Sequence, residues 1–322
     1  MSTRLPRIVS VLWLALACAP ARPPSAPPAP AAEAPVAEES DSPPEVPEDV
    51  VERAAGPVSV VRLSDGEELS TSALARELLD YDAICAGEEH TSAAQHYGEL
   101  WLLERLSAQA PYMGLELGVG FEMWPAKVQG VVSAYAESKI SEKRLLKQTE
   151  YEKTWGYDFA YYRPIVTRAR ELSLPLLALN ASPTMVERIR KDGLSALDEW
   201  TSRSLPELDL SDAAHRKDFE RRMKKHPGVE ASNLDNYYAA QVLWDETMAD
   251  NTARWLNLHA PVRRLLVIAG QAHCQRSAIP KRIVRRGAKK VAALLLATEK
   301  PEPSAAESFD YAVIVDSDSD QE

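Results

Sequence analysis

The chain has 322 residues, with 48 acidic against 37 basic side chains and a net charge of −11. That balance argues against a nucleic-acid partner, because only 281–290 is locally basic and it reads as a solvated helix face. Beyond the first residues no apolar run approaches about twenty, which argues against a mature protein that spans a bilayer as a helix.

Residues 1–17 have the form of a secretory signal. Arg4 and Arg7 form its positive flank, and 8–17 is a short apolar stretch. Ala15-Leu16-Ala17 before Cys18 reads either as an ordinary small-x-small cleavage site or as a lipobox in which Cys18 becomes the lipidated first residue. Residues 18–57 hold eleven of the 23 prolines, with eight acidic and two basic side chains. Such a segment cannot bury enough apolar surface to offset its ordering entropy, so it is expected to be an extended tether. The folded part is expected over 58–316, followed by an acidic tail at 317–322.

Within 58–316, strands are expected over 58–63, 83–86, 112–117, 174–179, 265–269, 291–297 and 311–315. Several are apolar almost throughout, as strands covered on both faces of a parallel sheet should be. Helices are expected over 72–79, 93–106, 164–172, 183–191, 213–225 and 236–258. Pro164 and Pro183 suit first helical turns, where the missing N–H costs nothing. The alternation predicts an α/β domain, a mostly parallel sheet with helices on both faces. Segments 121–150 and 193–238 lack convincing strands and read as helical insertions, expected to meet as a smaller subdomain at the mouth of the crevice.

Two strands end in a G-x-x-H tetrapeptide: Gly87-Glu88-Glu89-His90 and Gly270-Gln271-Ala272-His273. In an open parallel sheet the carboxyl ends of the strands line one crevice, so both imidazoles are expected there. Glu116, in Gly114-Leu115-Glu116, and Asn180 are placed at two further strand exits. An ionised carboxylate out of water needs a partner, and Glu116 near His90 and His273 would have two. Such a cluster could hold a divalent metal through His90, Glu116 and His273, or use a histidine as general base with Glu88 or Glu116 orienting it. A histidine that only caps a helix is the plainer alternative.

Trp155-Gly156-Tyr157-Asp158-Phe159-Ala160-Tyr161-Tyr162-Arg163-Pro164 gathers three tyrosines and an arginine before a helix start. Phenolate can ligate haem iron and arginine suits a propionate, while packing between domains accounts for the same residues. There is no C-x-x-C-H, which rules out covalent haem attachment on motif grounds. Asp245 and Glu246 are adjacent, so at most one faces the cleft, and spacing does not say which. Cys85 and Cys274 flank the crevice, where a disulfide, shared metal ligation or two unconnected thiols all remain open.

GEEH at 87–90, GLE at 114–116, WGYDFAYYRPI at 155–165, LPLLALN at 174–180, AAQVLWDETMA at 239–249 and AGQAH at 269–273 together resemble the ChaN family of haem-binding bacterial lipoproteins, within the wider Tiki and erythromycin-esterase-like group. The resemblance spans roughly 80 to 290. It implies an envelope protein lipid-anchored at Cys18, haem bound through a tyrosine at a homodimer interface, and a role in haem or iron uptake or storage. Tyr162 is the first candidate ligand, followed by Tyr161 and Tyr157, with Arg163 beside them. Relatives of the Tiki and esterase type instead imply a hydrolase, metal-dependent or histidine-based, with its roles on Glu88, His90, Glu116 and His273. The chain departs from the family pattern around its second histidine: Cys274 follows His273, and Ala278 replaces the glycine before Ile279-Pro280.

Overall fold

The structure, a computed structural model, describes residues 56–224 and 230–316. The expected signal, Cys18, nearly all of the tether and the acidic tail lie outside the described residues. Eight strands form one sheet in the order β2-β1-β8-β7-β3-β6-β4-β5. They are β1 (Val58–Arg62), β2 (Glu67–Glu68), β3 (Ala83–Glu88), β4 (Glu116–Pro125), β5 (Leu176–Asn180), β6 (Arg263–Gly270), β7 (Val291–Ala297) and β8 (Tyr311–Val315). The strands from β8 to β5 run parallel, and β1 joins the sheet antiparallel to both β8 and β2.

Period-two alternation divides the core between the two faces. Ile84, Ala86, Leu266, Ile268 and Leu294 point to one face, under the helices Thr71–Leu79, Ala93–Gln109 and Arg163–Glu171. Ala83, Cys85, Leu265, Val267 and Ala293 point to the other, under Leu234–Asn257 and Ile279–Arg285. Every residue of β3 is buried, so this strand reads as apolar without alternation.

Among the described residues, the two helical segments pack into different apolar clusters. Val132, Tyr135 and Leu145 from the first are continuous with the main core. Leu194, Leu197 and Leu205 from the second pack on Ala239 and Leu243, and Phe219 on Tyr238 and Val242.

The exposed edge of β5 is occupied by a side chain. The Gln129 amide donates to the Leu176 carbonyl at 2.9 Å and accepts from the Ala178 N–H at 2.7 Å, the two bonds a further strand would make.

The chain leaves β3 toward β4 and leaves β6 toward β7, in opposite directions across the sheet. A crevice therefore opens over the carboxyl ends of β3 and β6, the usual ligand position in such sheets. The register pairs Glu88 with Gly270, which brings the two G-x-x-H exits side by side.

Candidate functional site

Glu88, buried at the end of β3, accepts through Oε1 from His90 Nδ1 and from the Tyr162 hydroxyl at 3.3 Å. The His90 ring lies against Tyr157 and Trp155, with centroids 4.6 and 4.9 Å away. It also covers Gly270, where an added Cβ would stand 3.1 Å from Cε1, so any larger residue would press on the ring. Burial pulls the His90 pKa down, but the hydrogen bond that His90 donates to Glu88 and the charge of Glu122 outweigh it and hold the ring above its ordinary value.

His273 sits in the turn Gln271–Cys274 that follows β6. Its Nε2 is 3.2 Å from Glu122 Oε1, and its Nδ1 is 2.5 Å from Asp245 Oδ1. Both ring nitrogens face carboxylates, the arrangement of an imidazolium. Burial opposes the charge, yet Glu122 and Asp245 push the pKa up to about 10. Glu122 also accepts from the Gly270 N–H at 2.8 Å and is held below the usual carboxylate range by His273 and His90, against its burial. Asp245, fully buried, reaches His215 Nε2 with its other oxygen at 2.8 Å. His215 in turn contacts the Tyr238 hydroxyl and Arg282 Nη2, each at 3.2 Å. The result is a buried row, Glu122–His273–Asp245–His215, with alternating anionic and imidazole groups.

A second pair supports the first exit loop. His96 Nε2 donates to the His90 carbonyl at 3.2 Å, and its Nδ1 faces Glu99 Oε2 at 3.0 Å. Burial disfavours charge on both. Glu99 and the nearby Glu88 nevertheless raise His96 to about 9, while burial pushes Glu99 up to about 7.

Glu116 is not part of this site. It begins β4 at the opposite end of the sheet, is exposed, and pairs with Arg263 at 3.3 Å. The segment Ala110–Met113 is a short 3-10 turn with Tyr112 89% exposed, so the strand starts where the sequence suggested it would end. Glu122, six residues further along β4, takes the place expected of Glu116 between the two histidines. Its signal was present as the lone carboxylate in the run Leu117 to Trp124.

His90, Glu116 and His273 therefore form no metal set, and no group of three or more His, Cys, Asp or Glu among the described residues is arranged to hold one. Of the adjacent pair, Asp245 faces His273, while Glu246 binds Arg282, Arg285 and Arg286 on the neighbouring helix. Asn180 buttresses the floor by donating to the Glu122 carbonyl at 2.9 Å. Cys85 and Cys274 are joined as a disulfide.

The aromatic residues separate by depth. Tyr162 is 1% exposed and bonded to Glu88, and burial with the charges of Glu88 and Glu99 holds its phenol far above the ordinary value. Tyr161 is half-buried and stacks on His96 at 5.3 Å. Tyr157 is 37% exposed at the mouth. Arg163 is tied to Glu142 at 2.9 Å and lies over the Phe159 ring. Beside the mouth, a cleft of about 300 Å³ is lined by Trp155, Trp244, Met123, Val186 and Arg190, with Glu122 on its floor.

An α/β sheet with a buried imidazole–carboxylate row beneath an aromatic mouth defines the class of protein. The sequence matches the model of the family described as "Haem-binding uptake, Tiki superfamily, ChaN" over residues 74–283, and the chain belongs to that family. No curated protein matches it. Among solved structures it is similar to one described as "Cofacial heme binding to ChaN of Campylobacter jejuni", at 18% identity over 80% of this chain and 96% of that one, with a TM-score of 0.65. A mutant of the erythromycin esterase EreC in its open conformation matches at 13% identity over 80% and 82% of the two chains, with a TM-score of 0.41. The type III effector HopBA1 matches at 13% identity over 77% and 94%, with a TM-score of 0.40.

Proposed function

We propose that the protein binds haem at the mouth of the strand-end crevice and serves haem or iron uptake or storage in the bacterial envelope. The observation that carries this reading is Tyr157, an exposed phenol seated on His90 and Trp155 beside an aromatic cleft. A phenol oxygen suits haem iron, and indole rings suit the face of a macrocycle. Tyr157 would hold the iron through its phenol oxygen, and Trp155 and Trp244 would supply apolar walls. Tyr162 would instead hold Glu88 and His90 from within. When bound, haem would supply its iron as the transported or stored element.

The envelope location rests on the signal-like 1–17 and on Cys18 as the lipid-bearing residue. The buried disulfide accords with an oxidising compartment. The Campylobacter protein's cofacial haem arrangement supports pairing of two copies around the mouth.

Haemin titration followed by Soret absorbance tests the reading. A saturable shift is expected, weakened about tenfold or more, on the order of 1.4 kcal/mol, in Tyr157→Phe and little changed in Tyr162→Phe. No saturable shift in the unaltered protein would end the haem reading. Equal binding by Tyr157→Phe would remove Tyr157 from it. Cys18→Ala, with lipid labelling of cells, tests the anchor.

The buried row favours a second reading, a hydrolase in which Glu88 orients the partly exposed His90 and Glu122 holds His273. It predicts loss of hydrolysis without loss of fold in His90→Ala and in His273→Ala. Full activity in both would rule it out.

A further inference from the structure

The turn that carries His273 has little to hold it from its own sequence. Gln271–Cys274 is four residues long, and its first residue is preceded by Gly270 with no side-chain cap. Beside its contacts to Glu122, Asp245 and the Leu296 carbonyl, one covalent bond ties it to β3. Cys274, the next residue after His273, is joined to Cys85 in β3, with Cα atoms 5.1 Å apart. Cys85 lies three residues before Glu88 and five before His90. One bond therefore staples the two G-x-x-H exits together.

The turn also rests directly on the β3 backbone. A Cβ added to Gly87 would stand 2.9 Å from Gln271 Cα and 3.1 Å from Cys274 Cβ. Both cysteines are wholly buried. On the far side of the turn, Glu122 comes from β4 and Asp245 from the helix Leu234–Asn257. His273 must be placed between two carboxylates that belong to two other elements, and the disulfide ties the residue next to it to β3.

We propose that Cys85 and Cys274 are positioning residues of the strand-end site: their oxidation fixes His273 between Glu122 and Asp245, and the site is complete only in the oxidised protein. The step joins two thiols into one disulfide. It releases two protons and passes two electrons to a thiol–disulfide oxidant, whose own disulfide becomes a dithiol. The proposal rests on the haem reading only for what the finished site holds, and its principal readout involves no haem.

The test compares the unaltered protein with Cys85→Ala/Cys274→Ala and with Cys85→Val/Cys274→Ala, the second of which better fills the buried volume. Peptide mapping without reduction is expected to recover a fragment that joins positions 85 and 274. Imidazole NMR, with His273 assigned by His273→Gln, is expected to show His273 titrating near 10 when the bond is present. In a folded double variant its midpoint should fall toward the ordinary histidine range. A merely stabilising disulfide would change the unfolding midpoint and leave that titration alone. An unchanged His273 midpoint in either folded variant, or free thiols in protein recovered from an oxidising compartment, would overturn the proposal. If neither variant folds, the dithiol-reduced native protein gives the same comparison. Haemin affinity is expected to fall about tenfold in the variants. Absence of haemin binding in every sample would count against the haem reading, and the NMR result would still decide the role of the disulfide.

Discussion

Replacing Asp245 by Asn keeps the shape of a wholly buried side chain and removes its charge. Its two oxygens stand 2.5 Å from His273 Nδ1 and 2.8 Å from His215 Nε2. At an effective dielectric of about 20, one charged contact at this range has a gross attraction of roughly 6 kcal/mol, and desolvation cancels much of it. The variant leaves an imidazolium buried with Glu122 as its remaining carboxylate. Breaking such a pair by removing one partner costs about 3–5 kcal/mol.

The pH dependence carries the sharper signature. His273 is raised to about 10, so its stabilisation is complete below the unfolded histidine value and is lost as pH rises through about 10. The Asp245 pKa is lowered, with His273 and His215 outweighing burial, so its stabilisation is present above the unfolded aspartate value and is lost as pH falls below it. The stability gap between the unaltered protein and Asp245→Asn should therefore be widest between those limits and narrow toward either extreme. Urea unfolding at fixed pH from about 5 to about 10.5 measures it on the alkaline side. A gap under about 1 kcal/mol at neutral pH, or one that stays constant to pH 10.5, would refute the assignment of a charged His273–Asp245 pair.

Gly270→Ala drives a Cβ against the His90 ring, 3.1 Å from Cε1 and 3.3 Å from Nε2. It should cost about 1–3 kcal/mol and shift the His90 ring resonances, and unmoved resonances would show that the ring does not lie over this residue. Glu116→Gln removes an exposed partner of Arg263, so stability should change by less than about 1 kcal/mol and haemin binding should not change at all. Glu122→Gln should cost about 3 kcal/mol or more, and the opposite ranking of these two glutamates would return Glu116 to the site.

The sheet could be read from the chain because buried parallel strands are apolar on both faces. For that reason β3, β6, β7 and β8 emerge as apolar runs, with β3 ending at Gly87-Glu88 and β6 at Gly270-Gln271. The same property concealed the extent of β4. Tyr112 and Met113 extend the apolar run backwards into a 3-10 turn, and Glu122 sits inside the strand instead of after it. A carboxylate among Phe121, Met123 and Trp124 marks a site only once its cationic partner is known, and that partner arrives from 151 residues away. Asp245 and Glu246 differ by about 100° around one helix, so their roles depend on how that helix is rotated against its neighbours. Tyr157 and Tyr162 share one short segment, yet one is exposed and the other internal. Local composition cannot separate them, because the difference arises from how the loop closes over His90. His215 had no local signal, since its helix shows no motif and its partner Asp245 is tertiary.

The Gln129 amide gives β5 a neighbour that cannot be extended. At the opposite edge β2 is two residues long, Glu67–Glu68, with both side chains exposed. One border is filled by a dummy rung and the other is short and negatively charged, so neither offers a template for a visiting backbone. If two copies pair, as proposed above, neither of these borders gives them a strand to share. Their sheets would then stay separate, unable to fuse into a continuous ribbon.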